Sequence, residues 1–219
     1  MIQEEGPVIG PMVLAGCLLD EEASEEFKKI KVRDSKTLTP KRREYLAKII
    51  KQKSLTFEIT ITHPVEVDTK LNTGTNLNKI EAQKTAEIIN RINKGMNKMQ
   101  VIIDCPSPNI QSWQTYMERY INNKKNLIIS CEHKADKNHI SVSAASIIAK
   151  SAREFEVAKL KKKIGKNFGS GYSSDPVTRK FLEEYYKDHK KDGIFRETWQ
   201  TMRNIHSKKE QKNLLDFNN

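Results

Sequence analysis

Runs of apolar residues, some unbroken and some alternating with polar residues, mark the strands that this chain predicts. Four such runs are present, at 8–19, 55–62, 99–104 and 126–131. The first is almost wholly apolar, as a buried strand is, with Gly10 and Pro11 marking a kink or bulge. The second alternates apolar and polar residues, and the third ends on an aspartate, Asp104. The pattern therefore predicts four strands, the last two of them short.

Apolar residues at helical spacing predict the segments between and after these strands. The clearest is 77–94, where Leu77, Ile80, Ile88 and Ile92 share one face. Further helices are predicted at 20–31, 40–51, 110–121, 141–164, 178–189 and 195–206. Strands first, and then strands alternating with helices, predict an α/β or α+β protein in which helices flank a mixed sheet, with a helical C-terminal region.

The charge balance points to a polyanionic partner. Among 219 residues, 39 Lys and Arg stand against 28 Asp and Glu, a net charge of +11. Nucleic acid is favoured over a membrane surface, since no segment combines Trp or Phe with a lysine-rich face. No apolar run approaches the roughly 20 residues needed to span a bilayer, and the start lacks the layout of a signal peptide. We therefore predict a cytoplasmic protein with no membrane partner.

The three cysteines predict free thiols. Cys17, Cys105 and Cys131 lie inside or at the end of apolar runs, and no two have C-x-x-C spacing. This pattern favours buried thiols in a reducing compartment over a disulfide or a zinc site.

Two acids occupy equivalent places at the ends of neighbouring strands. Asp104 ends one strand, and Asp136 follows the next, in a polar loop that also contains Lys134. Carboxylates at adjacent strand ends could share Mg²⁺ or Mn²⁺ through oxygen ligands, and metal ions so placed can activate water toward a phosphodiester. The alternative is structural, with Asp104 capping the next segment and Asp136 pairing with Lys134.

Motifs along nearly the whole chain resemble those of the ribonuclease HII family. They are G-P-V-I-G-P-M-V at 6–13, D-S-K-x-L-T at 34–39, V-I-I-D at 101–104, E-H-K-A-D at 132–136, S-A-A-S-I-I-A-K at 143–150, G-S-G-Y-x-S-D-P at 169–176 and R-x-T-W at 196–199. The E-H-K-A-D form is similar to the archaeal branch of the family.

The resemblance implies a ribonuclease H-like fold, with a mixed five-stranded sheet flanked by helices and a helical C-terminal extension. It implies a catalytic domain over 1–165, a helical region packed on it over 166–208, and a tail over 209–219. It also implies a Mg²⁺- or Mn²⁺-dependent endonuclease that cuts RNA in RNA–DNA hybrids and single ribonucleotides in duplex DNA, leaving 3′-hydroxyl and 5′-phosphate ends. Such activity serves DNA replication and ribonucleotide excision repair. Nothing in the sequence predicts an oligomer, so a monomer is expected.

By motif match, several residues acquire expected roles. Asp104 and Asp136 correspond to two of the family's four active-site acids. Tyr172 corresponds to the tyrosine that stacks on the ribonucleotide sugar and helps to sense its 2′-hydroxyl. The cations expected to hold the substrate backbone are Lys36, Lys134, Lys150 and Arg153.

The first motif departs from the family. The family begins with a strand ending in D-E-A-G-R-G-P, whereas this chain begins M-I-Q-E-E-G-P. One alignment places Gln3 and Glu4 on the acidic pair, and another places Glu4 and Glu5 there. Glu4 is therefore the expected catalytic acid and metal ligand, with Glu5 the next metal ligand. Loss of the central strand would also expose sheet edges. Three explanations fit this departure: a truncated or misassembled version of an active enzyme, a divergent enzyme with a rebuilt first motif, or a relative without catalysis. The last, a catalytically impaired, hybrid-binding and clamp-tethered relative, is the alternative function.

The tail has a motif of its own. Gln211, Leu214 and Phe217 have the spacing Q-x-x-L-x-x-F, which resembles the peptide that docks on the sliding clamp. One helical turn would place both apolar side chains on one face, ready for a hydrophobic pocket. The structural alternative is a frayed terminus.

Overall fold

The computed structural model describes residues 7–32, 37–95 and 97–204. These residues fall into two compact units. We call residues 13–61 and 76–153 the strand unit, and residues 7–12, 62–75 and 154–204 the terminal unit. The domain limits expected from the family resemblance, at 165 and 208, stay a prediction.

Four strands occur in the described part of the chain, and they form two separate pairs. Strand β1 (Met12–Leu18) pairs with β2 (Thr56–Thr62), and β3 (Met99–Asp104) pairs with β4 (Leu127–Glu132). The second pair is parallel and in register from Met99 opposite Leu127 to Asp104 opposite Glu132. The expected five-stranded sheet is not confirmed, because no described segment supplies the family's first strand. In the described ranges, β1 and β3 therefore each keep one edge outside a sheet.

The described part of the chain has eight complete α-helices, several of which begin at a capping side chain. They are α1 (Glu21–Lys29), α2 (Pro40–Lys53), α3 (Pro64–Asn72), α4 (Leu77–Ile92), α5 (Ile110–Glu118), α6 (Ala135–Asn138), α7 (Ile140–Ile164) and α8 (Pro176–His189). Asp20, Thr39 and Asn76 each accept a backbone N–H from the first turn of α1, α2 and α4. These side chains satisfy donors that have no partner within the helix.

Two hydrophobic clusters pack helices against the two strand pairs of the strand unit. Helices α1, α2 and α7 pack against β1 and β2 through Phe27, Ile50 and Ile147. Helices α4 and α5 pack against β3 and β4 through Ile89 and Trp113. Both clusters include alternate strand residues, as expected where successive side chains point to opposite faces.

The terminal unit has its own core and corrects two sequence predictions. Residues 8–10 are not part of β1, because Gly10 has a φ of +90° and Pro11 has no N–H to donate. Ile9 instead forms an antiparallel bridge with Phe195. The predicted helix over 195–206 is therefore wrong at its start, and helical backbone begins only at Gln200. Val8, Ile9 and Phe195 are buried with α8 in one cluster.

Within the described ranges, no helix combines the length and the apolarity that crossing a membrane requires.

Candidate active site

Asp104 occupies the last position of β3, where its carboxylate meets the turn that follows β4. Its Oδ1 accepts the N–H of Ala135 at 3.2 Å. The Cys105 N–H continues the pairing by donating to the carbonyl of Glu132 at 2.8 Å. Ala135 directly precedes Asp136, so its hydrogen bond holds the Asp104 carboxylate next to the turn that carries Asp136. The end of β3 and the turn after β4 thus lie side by side, and a shared metal site of the two acids stays a prediction.

The turn that carries Asp136 depends on an uncommon backbone conformation. Lys134 has a φ of 58°, in the left-handed region, and α6 begins immediately afterwards. The carbonyl of Asp136 accepts the Ser143 hydroxyl in the first turns of α7. His133 Nδ1 lies 3.2 Å from the Cys105 carbonyl oxygen. These contacts tie the backbone of the turn that carries Asp136 to both β3 and α7.

Glu132 forms a contact that the sequence did not suggest. Its Oε2 lies 2.9 Å from Nε2 of His139, and both side chains are half-buried. Glu132 is also the register partner of Asp104 across the β3–β4 pair. A third acidic side chain therefore stands at the same end of the strands. Glu132 belongs to the E-H-K-A-D motif, but nothing in that motif predicts its contact with His139, seven residues later.

A cavity of about 600 Å³ opens between β1 and β3 in the strand unit. Its walls are residues 13–19 and 98–104, one face each of α4 and α7, and the side chains of Ser24 and Asp136. Asp104 and Asp136 both line this cavity.

The oxygen donors at this end suit a hard divalent cation. Carboxylates are the ligands that Mg²⁺ and Mn²⁺ prefer, and Asp104 and Asp136 both supply them. Among the described residues, no group of three or more His, Cys, Asp or Glu side chains is arranged to hold a metal ion. The predicted ligands Glu4 and Glu5 lie outside the described residues.

The other predicted site residues are divided between the units. Lys134, Lys150 and Arg153 belong to the strand unit, with Lys134 exposed and the other two half-buried on α7. Tyr172 belongs to the terminal unit and is 36% exposed. Lys36 and the tail residues Gln211, Leu214 and Phe217 lie outside the described residues.

The loop that presents Tyr172 is held by side-chain and backbone contacts of the terminal unit. Asp175 accepts the N–H groups of Ser170 at 2.6 Å and Val177 at 2.9 Å. The carbonyl of Gly171 accepts the N–H groups of Val8 and Ile9 at 2.8 and 3.0 Å. Tyr172 is thereby carried on a well-anchored loop with its side chain partly in solvent.

All three cysteines are free thiols, as predicted. Cys105 is buried and the other two are half-buried. Burial raises the pKa of the Cys17 thiol to about 12, and burial likewise raises the pKa of Cys131 to about 12. Thiols with such raised pKa values are protonated at neutral pH.

Comparison with known proteins agrees with the motifs. The family model described as Ribonuclease HII matches residues 4–202. A ribonuclease HII of Pyrococcus furiosus is 40% identical over 217 residues, covering 97% of this chain and 93% of its own length. One from Methanocaldococcus jannaschii is 39% identical over 220 residues, covering 96% of this chain and 94% of its own.

Solved structures show the same fold. The ribonuclease H2 of Pyrococcus horikoshii superposes with a TM-score of 0.81 at 36% identity, covering 93% of each chain. The ribonuclease HII of an Archaeoglobus fulgidus complex with PCNA gives a TM-score of 0.79 at 35% identity, covering 91% of each chain. The acids at the strand ends, the ordered motifs and these relatives agree, and the chain belongs to the ribonuclease HII family.

Proposed function

We propose that this ribonuclease H-type hydrolase cleaves RNA strands in RNA–DNA hybrids, and single ribonucleotides embedded in duplex DNA. The observation that carries the proposal is the pair Asp104 and Asp136 on one cavity wall, with Asp104 fixed by the Ala135 N–H. The net charge of +11 suits a polyanionic substrate. The matched family and its relatives supply the ribonuclease class.

Asp104, Asp136 and Glu4, with Glu5 as a further ligand, are the proposed ligands of two Mg²⁺ or Mn²⁺ ions. Bound there, the ions would lower the pKa of a water molecule and stabilise negative charge on the phosphate. The reaction adds water to phosphorus and breaks the bond to the 3′-oxygen, giving 3′-hydroxyl and 5′-phosphate ends.

The cations and the tyrosine position the substrate. Lys36, Lys134, Lys150 and Arg153 would contact backbone phosphates, which set the register of the duplex without reading its sequence. Tyr172 would stack on the sugar of the ribonucleotide, where the 2′-hydroxyl distinguishes RNA from DNA. Specificity for a ribonucleotide rather than for a base sequence follows from these two kinds of contact.

The test is cleavage of a labelled DNA duplex that contains one ribonucleotide, in Mg²⁺ or Mn²⁺. Asp104→Asn and Asp136→Asn should each lower the rate at least about a hundredfold, because each removes a charged ligand worth several kcal/mol in the transition state. Asp188→Asn, at an exposed acid on α8, is the matched control and should cut normally. Equal rates for all three variants would refute the assigned acids.

The second candidate is a hybrid-binding protein without the chemistry. The departure of the first motif, M-I-Q-E-E-G-P where the family has D-E-A-G-R-G-P, favours it. Its signature is salt-sensitive binding of the hybrid with no cleavage in either metal. Metal-dependent cleavage abolished by Asp104→Asn would eliminate this candidate.

We further propose that the tail binds a sliding clamp. The Archaeoglobus fulgidus neighbour was solved in complex with PCNA, and Gln211, Leu214 and Phe217 have the spacing of a docking peptide. The paired substitution Leu214→Ala with Phe217→Ala should weaken binding to an archaeal clamp at least about tenfold by removing both apolar anchors. Leu215→Ala, between the two motif positions, is the control and should bind the clamp normally. An equal loss of clamp affinity in the control and in the paired variant would contradict the motif. A monomeric state and a cytoplasmic location stay predictions.

A further inference from the structure

The turn between β4 and α7 carries Asp136, and its backbone conformation is not stable on its own. It contains Lys134 in the left-handed region, with a φ of 58°, and the single helical turn α6. A left-handed conformation is unfavourable for a lysine, and one turn of helix is too short to be stable alone. Such a segment keeps its conformation only where contacts with its surroundings hold it.

His139 lies where α6 ends and α7 begins. Its N–H donates to the Ala135 carbonyl at 2.9 Å, and its carbonyl accepts the Ser143 N–H at 3.0 Å. The Ser143 hydroxyl also donates to the carbonyl of Asp136. The position of His139 therefore affects both α6, which carries Asp136, and the first turn of α7.

The His139 side chain joins this junction to the end of β4. Its Nε2 lies 2.9 Å from Oε2 of Glu132, and Nε2 is the donor because a carboxylate only accepts. The side chains of His139 and Glu132 are 29% and 39% exposed, so this hydrogen bond is partly shielded from water. Glu132 is the register partner of Asp104. The hydrogen bond thus ties the junction of α6 and α7 to the residue beside Asp104.

The direct link between Asp104 and the turn is a long hydrogen bond. The Ala135 N–H donates to Oδ1 of Asp104 at 3.2 Å, at the long end of the range for N–H···O bonds. Bonds to a charged oxygen are commonly shorter than this. A second contact is therefore needed to fix the turn against the strand ends, and the one between Glu132 and His139 is in the right place.

We propose that the hydrogen bond between Glu132 and His139 positions Asp136 relative to Asp104, and so raises the affinity of these two acids for Mg²⁺ or Mn²⁺. Glu132 and His139 are positioning residues and not ligands. Loss of a side chain that orients metal ligands typically costs about 10–100-fold in metal affinity. The inference rests on the proposed metal-dependent cleavage and adds two residues to its site.

The first test is calorimetric titration of the full chain with Mn²⁺, without nucleic acid. The site is identified as the one that Asp104→Asn removes. His139→Ala should weaken Mn²⁺ binding there at least about tenfold, because the turn that carries Asp136 is no longer held. His139→Gln keeps an N–H donor near the position of Nε2, so its affinity should be within about threefold of wild type. Equal affinity in wild type and His139→Ala, or a loss that His139→Gln does not reduce, would overturn the proposal.

The second test measures the position of the turn without any metal. It follows hydrogen exchange of the Ala135 amide, which donates to Asp104, in the presence of chelator. His139→Ala should speed this exchange at least about tenfold, because the turn opens more readily, and His139→Gln should restore it. Unchanged exchange at Ala135 in His139→Ala would refute the positioning role.

A double-mutant cycle tests whether the two residues act through their shared hydrogen bond. Glu132→Ala should weaken Mn²⁺ binding as much as His139→Ala, and the double variant should be no weaker than either, because all three lack the same bond. Losses that multiply in the double variant would overturn the proposal. A much larger loss in Glu132→Ala than in His139→Ala would also overturn it, since Glu132 would then be a ligand.

His189→Ala is the matched control. It removes another hydrogen bond between a histidine and a carboxylate, the 2.8 Å contact with Asp192 in the terminal unit, and it should leave Mn²⁺ affinity unchanged. An equal loss in this control would show a general effect on folding and overturn the assignment. Cleavage of the ribonucleotide-containing duplex is measured separately. A wild type that binds Mn²⁺ but does not cut would refute the proposed cleavage, while the affinity and exchange measurements would still decide this inference.

Discussion

At the scale of single residues, Asp175 is the side chain that organises the loop carrying Tyr172. It caps α8 through the Val177 N–H and closes the loop through the Ser170 N–H. The Ser170 hydrogen bonds are the main cause that lowers the pKa of this carboxyl below its usual 3.8. A lowered pKa means that the folded state favours the charged form.

Asp175→Asn keeps an oxygen that can cap α8 but loses the negative charge, so it should destabilise the protein by about 0.3–1 kcal/mol at pH 7. The contribution of a group with a lowered folded pKa is present above its unfolded pKa and is lost as pH falls through the folded value. The difference between wild type and variant should thus narrow below about pH 3.8. Urea unfolding from pH 7 to pH 2.5 measures it, and a constant difference would contradict the argument.

The sequence predicts those residues of the candidate site that lie at the ends of strands, because the strands themselves can be predicted. Asp104 and Asp136 could be predicted because each follows an apolar run, and parallel neighbours end at the same edge. The contact between Glu132 and His139 could not, because it depends on Lys134 adopting a left-handed φ of 58° and on the short helix α6. Nothing in the local sequence requires that conformation of a lysine.

At the scale of elements, Gly16 sets how closely β1 approaches α4. A Cβ at this position would lie 2.6 Å from Cγ2 of Ile88 and 3.3 Å from Cδ1 of Ile92. Contacts below 3.0 Å require backbone or side-chain movement, since cores are close-packed. The glycine is needed here for its lack of a side chain.

Gly16→Ala should lower the free energy of unfolding by about 1–3 kcal/mol, the range for overpacked cores. Ile88→Leu removes the branching methyl that the new Cβ would meet, so the double variant should recover part of the loss. Guanidinium unfolding of the two single variants and the double variant measures the coupling. Strictly additive losses would show that the predicted clash does not occur.

Element positions were largely predictable, and the exceptions have local causes. β3 was predicted with its observed bounds, and α2 starts at the predicted Thr39 cap. The run over 8–19 reads as one strand because its residues are apolar, but Gly10 and Pro11 divide it. Phe195 reads as helical from its spacing, yet it pairs with Ile9, a tertiary contact that no sequence window contains.

At the scale of the whole molecule, the net charge of +11 should govern substrate binding. Cations that neutralise phosphates release counterions, so the binding constant falls steeply with salt concentration. In an Asp104→Asn background, Lys150→Gln and Arg153→Gln should each reduce the slope of log K against log salt by about 1. Lys48→Gln, an exposed lysine on α2, is the matched control. Fluorescence anisotropy with a labelled hybrid measures these slopes, and unchanged slopes would remove α7 from the interface.

The sequence predicts only part of the separation of the strands into two pairs. Because the first motif departs from that of the family, it predicts that sheet edges are exposed. It did not indicate a cavity of about 600 Å³ between β1 and β3, because the walls from α4 and α7 come together only in the folded strand unit.

Because Asp104 and Asp136 line one cavity, the measured stability of this chain should depend on the divalent cations in the buffer as well as on the sequence. An ion that binds the folded state alone stabilises it by RT ln(1 + [L]/Kd), about 2.7 kcal/mol at a hundredfold excess over Kd. A melting temperature recorded in chelator would then be the lower limit of the values that the protein can show.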